Sequence, residues 1–178
     1  MNTLEIQTII QQGRSTTEEA LRLFDELDSV GLDFMFGRWQ GADFLTNHPM
    51  DGLLETIGWY GKEFVDSDNV HPLLFSDGNE IFKVDPNPLI TNLGLKFPLP
   101  QNESMKPLYS NMSKLLKTED SKARIRMMEY RHKVSATMIY DYLPIHDVFR
   151  KVDDNTLLGL MDWKGMPQPF FFLLNRVS

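Results

Sequence analysis

The sequence predicts a mainly β protein, an antiparallel sheet that closes on itself, with one amphipathic helix near its start. Two observations carry this. From Ala123 onward five apolar runs, at 124–131, 134–143, 147–152, 156–162 and 169–177, follow one another with only turn residues between them. Such short spacing allows antiparallel neighbours and leaves no room for helical crossovers. In the first half, residues 72–75 and 80–84 flank Ser76-Asp77-Gly78-Asn79, and an Asp-Gly pair between two apolar runs is a hairpin signal. About nine short strands and one helix must form a sandwich or a ring, and a ring removes the exposed edges.

The helix is announced at Thr16, which can cap it, with Glu19 three residues on to complete a capping box. Ala20, Leu23, Phe24, Leu27 and Val30 then form one apolar stripe that stops at Gly31. Residues 32–44 read as a strand broken by glycines, 50–57 as a short apolar helix, and 58–65 as a strand. Residues 85–112 contain Pro86, Pro88, Pro98, Pro100 and Pro107. That composition predicts a long loop, of the kind that serves as a lid or binding loop. The last strand, with Phe170, Phe171, Phe172, Leu173 and Leu174 in a row, is apolar on both faces. One face should lie against a core or cavity and the other under the helix or a partner chain, which leaves a homodimer open.

Composition narrows the function. A chain of 178 residues with 42% hydrophobic residues can bury a core without metal or disulfide staples, and it reads as a single domain, 1–178. The absence of cysteine excludes disulfides, thiolate metal sites and a cysteine nucleophile. A net charge of −7 argues against nucleic acid or an anionic membrane as partner. No apolar run is long enough for a membrane helix and the N-terminus lacks a secretory pattern, so a cytoplasmic location is expected. The four histidines are dispersed and no Gly-x-Ser-x-Gly elbow occurs, so neither a metal, nor another cofactor, nor a serine nucleophile is expected.

One motif carries more information. Gly37-Arg38-Trp39-Gln40-Gly41, with Gly58-Trp59-Tyr60-Gly61-Lys62 and Val70-His71-Pro72-Leu73, resembles the bacterial and fungal GXWXG family. Met138-Ile139-Tyr140-Asp141-Tyr142-Leu143-Pro144-Ile145 and Gly159-Leu160-Met161-Asp162 resemble the domain of unknown function that follows it there. On this reading residues 14–80 hold the helix and GXWXG segment, 85–112 the proline-rich loop and 113–178 the C-terminal meander. The glycine–tryptophan step is also similar to the opening of lipocalin-like (calycin) barrels. That resemblance implies an antiparallel lipocalin-like β-barrel whose floor is Gly37, Trp39 and Gly41, with Arg176 lying over the tryptophan; the alternative is an ordinary core aromatic and a solvated arginine.

Strand parity nominates cavity residues. Ile125, Met127, Glu129 and Arg131 share one face of their strand, and Met138, Tyr140 and Tyr142 one face of the next. A carboxylate in apolar surroundings can act as acid or base, so Glu129 is a catalytic candidate, unless it forms a buried structural pair with Arg131. His71, as proton shuttle, and Tyr140, as hydroxyl donor, complete the catalytic candidates. Trp59, Tyr60, Met127, Arg131, Met138 and Tyr142 are the ligand-binding candidates, although the aromatic and methionine residues could equally be core. Two functions fit: binding of a small, largely apolar organic molecule in a barrel cavity, or cofactor-independent acid–base catalysis there. In the second case the enzyme would be an isomerase, lyase or cyclase acting on a small apolar carbonyl or terpenoid-like substrate.

Overall fold

The computed structural model of the chain describes residues 1–86 and 106–177. Among these the elements run α1 (Thr3–Gln12), α2 (Thr17–Glu26), β1 (Asp28–Ser29), α3 (Leu32–Met35), β2 (Gly37–Asp43), α4 (Leu53–Ile57), β3 (Trp59–Phe64), β4 (Val70–Ser76) and β5 (Ile81–Lys83). They continue with α5 (Lys106–Leu115), β6 (Ala123–Tyr130), β7 (Lys133–Tyr140), β8 (Ile145–Lys151), β9 (Thr156–Trp163) and β10 (Phe170–Arg176). The ten strands form one antiparallel sheet, and eight of them close into a ring in the order β2-β3-β4-β6-β7-β8-β9-β10, with β10 paired back onto β2. β5 pairs with β4, and β1 with β8.

Alternation along the strands divides the core in two. Trp39, Phe64, Ile125, Met138, Phe149 and Leu174 belong to one buried cluster, which fills the ring. Phe44, Val148, Leu158, Leu160, Phe171 and Leu173 belong to another, packed under Ala20, Leu23 and Phe24 of α2 and Ile9 of α1. The continuous apolar run of β10 is thereby explained: Phe170, Phe172 and Leu174 face one cluster, Phe171 and Leu173 the other. Arg150 is fully buried beneath α2, its guanidinium 4.6 Å from the Phe24 ring centroid, and it donates to the Tyr130 carbonyl at 3.0 Å.

One end of the ring is plugged by the Gly-x-Trp-x-Gly step. Trp39 is fully buried, and its indole N–H donates to the Met35 carbonyl at 2.7 Å. Arg176, opposite Trp39 in the β2–β10 register, lays its guanidinium 4.2 Å from the indole centroid and donates to the Phe34 carbonyl at 2.8 Å. β2 and β3 approach so closely that a Cβ at Gly61 would stand 2.0 Å from the Trp39 carbonyl oxygen. A Cβ at Gly41 would stand 1.9 Å from the Trp59 ring. These are the close backbone approaches that glycine in a strand allows.

Several elements differ from expectation. Residues 32–35 are one helical turn rather than strand, and that turn is what presents the Met35 carbonyl to Trp39. α1 escapes a reading from apolar stripes because only Ile9 of it is buried; Asn2 and Glu5 form its capping box. At α2, Thr16 accepts from the Glu19 N–H at 3.2 Å as expected, but the Glu19 carboxylate takes the Ser15 hydroxyl at 2.5 Å instead of returning the bond. The expected loop 85–112 runs into α5: Pro107 stands in its first turn, where a missing N–H costs no hydrogen bond. Residues 87–105 of that expected loop lie outside the described residues.

Replacing Trp39 by Ala removes the plug and the acceptor-matched N–H together, and should cost about 3–5 kcal/mol of unfolding free energy. Urea denaturation measures it, and a loss under about 1 kcal/mol would mean that the end of the ring does not depend on Trp39.

Candidate functional site

The end of the ring plugged by Trp39 is solid, but away from it lies a cavity of about 480 Å³. Its wall comes from Trp59 and Lys62 on β3, Phe75 on β4, Tyr140 on β7, Asp147 on β8, Met161 and Trp163 on β9, and Phe170 and Phe172 on β10. Leu53, Leu54 and Ile57 of α4 and Tyr109, Met112 and Ser113 of α5 cover it. The α4 cover is set by two left-handed glycines, Gly52 before it and Gly58 after it, at φ 77° and 78°, which turn the chain from the helix straight into β3.

Two opposite charges sit in this apolar wall. The Lys62 ammonium is 2.7 Å from Asp147 Oδ2, with side-chain exposures of 3% and 1%. Lys62 also donates to the Pro72 carbonyl at 3.1 Å. Three rings surround the ammonium, with centroids at 5.1 Å for Phe172, 5.6 Å for Trp59 and 5.7 Å for Tyr140. The second carboxylate oxygen of Asp147 is buried and accepts no hydrogen bond from the described residues. Burial raises the Asp147 carboxyl above the ordinary carboxylate range, opposed by Lys62. Burial, reinforced by Asp147, holds the Tyr140 phenol well above its ordinary value, so near neutral pH it is a hydroxyl donor rather than a phenolate.

Two of the residues nominated from the sequence lie here. Tyr140 and Trp59 line the cavity. Glu129 does not: its face of β6 is covered only as far as Ile125, after which Met127 is 43% exposed and Glu129 lies in solvent opposite the exposed Val134. Parity along β6 and β7 holds, but the hairpin overhangs the ring. Arg131 is not the partner of Glu129; it occupies the turn at φ 51° and pairs bidentately with Asp25 of α2, at 2.6 and 2.5 Å. Tyr142 lies past the end of β7, 66% exposed, beside Lys122. Met138 is fully buried in the ring core, and Tyr60 is half-buried; neither lines the cavity. His71 is buried on β4 opposite Glu63 and does not line the cavity either. Its imidazole is held below its ordinary value by burial and then by Lys83.

Lys62 and Asp147 were missed. The signal for Asp147 was its parity with Ile145 and Phe149 on β8, a carboxylate between two buried apolar residues. Lys62 shares parity with buried Phe64, but register slips on either side of Gly61 bring Trp59 to the same cavity. Strict alternation would have put Trp59 and Lys62 on opposite faces.

Comparison with known proteins places the chain. Among the described residues no helix is long and apolar enough to cross a membrane, and no cluster of His, Asp and Glu could hold a metal ion. No curated protein matches the chain. A crystal structure of a protein from Thermomonospora curvata is similar, at 31% identity over 99% of this chain and 98% of that one, with a TM-score of 0.73. Residues 121–176, from just before β6 to the end of β10, match the domain of unknown function DUF4334. Residues 22–79, which hold Trp39, Gly41, Gly61 and Lys62, match the GXWXG protein family, so the chain belongs to that family, with the domain of unknown function as its C-terminal part.

Proposed function

We propose that the protein binds one small, largely apolar organic molecule in a lipocalin-like barrel cavity, in the cytoplasm, with a polar group of that molecule seated at Lys62 and Asp147. The observation that carries this reading is the buried ion pair in an otherwise apolar wall, with one carboxylate oxygen left unpaired among the described residues. Buried polar groups are nearly always satisfied, and an orphaned carboxylate oxygen on a cavity-lining residue suits a donor brought in by a ligand. The apolar wall would supply most of the affinity, and the pair and Tyr140 its orientation.

A second reading, acid–base catalysis, is favoured by the convergence of Tyr140, Asp147 and Lys62 on one largely apolar cavity. A phenol donor and a carboxyl of raised affinity for protons could move a proton beside a bound carbonyl. That is isomerase, lyase or cyclase chemistry without a cofactor.

Native mass spectrometry of the protein with a panel of alcohols, ketones and carboxylic acids of eight to fifteen carbons tests the binding. One-to-one complexes are expected, and no retained compound from the whole panel would refute it. Exchange of α-protons of a bound ketone in heavy water, followed by NMR, separates the readings: catalysis predicts exchange that Asp147→Asn abolishes, and pure binding predicts none.

The pair itself predicts an asymmetry in stability. Lys62→Met leaves a buried carboxylate without its cation and should cost about 3–5 kcal/mol, whereas Lys62→Met combined with Asp147→Leu should recover most of that loss. Thermal and urea unfolding of both variants measure it.

A further inference from the structure

We propose that Lys62 is a carbonyl-capturing residue: it condenses with an apolar aldehyde held in the cavity to form a protonated Schiff base, with Asp147 as counter-ion. This rests on the binding reading above and narrows its ligand class. The amine is buried, lines the cavity, and keeps one of its three N–H donors free of the contacts to Asp147 and Pro72. A lysine in an apolar pocket is the usual setting for imine chemistry, because water that would hydrolyse the product is scarce there. An iminium also fits the surroundings. It is a cation on the same nitrogen, so the Asp147 carboxylate at 2.7 Å and the rings of Phe172, Trp59 and Tyr140 that stabilise the ammonium stabilise it as well.

The step balances without an external reagent. The Lys62 ammonium passes one proton to Asp147, and the freed nitrogen lone pair attacks the aldehyde carbon. The C–N bond forms, the C=O π pair becomes a hydroxyl with a proton returned by Asp147, and the Tyr140 hydroxyl on the same wall is a second donor to that oxygen. The carbinolamine then loses its hydroxyl with one N–H proton as water. What remains is R–CH=NH⁺–Lys62 beside ionised Asp147, so one ammonium and one aldehyde have become one iminium and one water.

The test uses the full chain with octanal, citronellal and cuminaldehyde, each beside its own alcohol, under cyanoborohydride. Trapping adds the mass of the aldehyde less one oxygen, and peptide mapping locates it. The expected result is modification of Lys62 at least about tenfold faster than of exposed Lys114, Lys117 and Lys164, because the carbonyl is held at the amine. Excess of the matching alcohol should suppress labelling of Lys62 and not of those three. The Lys62→Arg variant, which keeps a cation beside Asp147 but has no amine that can condense, should give no cavity adduct while exposed Lys114, Lys117 and Lys164 label as before. Binding of aldehydes and alcohols without preferential trapping at Lys62 would overturn the imine and leave the binding reading standing. Failure of every aldehyde and alcohol to bind would overturn both.

Discussion

β10 is hydrogen-bonded to β2 along one edge and to β9 along the other, and β9 in turn pairs with β8; these three pairings turn a sheet with two edges into a ring. Closure forces the inner face to be filled at one end and leaves volume at the other. The filled end depends on a stack in which the Met35 carbonyl, the Trp39 indole and the Arg176 guanidinium succeed one another. Arg176 also reaches the Phe34 carbonyl, so a residue at the end of β10 holds the turn that precedes the first long strand. Segments 142 residues apart are thus joined at the point where the ring is sealed, and sequence-local interactions could not have done this.

The open end carries a cost that the closed end does not. Taking a lysine and an aspartate out of water is repaid by their mutual attraction only when the geometry is close and the remaining polar atoms find partners. Here the distance is short, the Pro72 carbonyl and three rings assist the cation, and one carboxylate oxygen is still orphaned among the described residues. A core of the same shape built from apolar residues would serve folding at least as well. On the binding reading proposed above, that cost is kept for the ligand the cavity would take.

Most of the strand order could be read from the sequence, because the apolar runs of the second half are short and separated by unambiguous turns. The interior of β7 was legible for the same reason: parity put Tyr140 inside, and it is there. Parity says which residues share a face but not how far along a strand that face remains covered, and Glu129 lies beyond that limit. Nor does it survive an irregular register, which is why Trp59 and Lys62 could not be placed together from the spacing at 58–62 alone. Proline content misled at 106–112, since a proline in the first turn of a helix is no obstacle to it. The Lys62–Asp147 pairing joins residues far apart in sequence, and nothing local to either one announces the other.

The two shortest pairings around the ring also have a use. β6 meets β4 only at Val70 and Ala123, and the rest of that side of β4 is taken by β5 at residues 74–76. β7 meets β8 over residues 146–148, and Lys151 and Arg150 beyond it are taken by β1. A run of unpaired backbone amides and carbonyls at either place would be a template on which another chain could add a strand. Strands of three and two residues cover those gaps while offering almost no edge of their own, so β5 and β1 act as guards against aggregation.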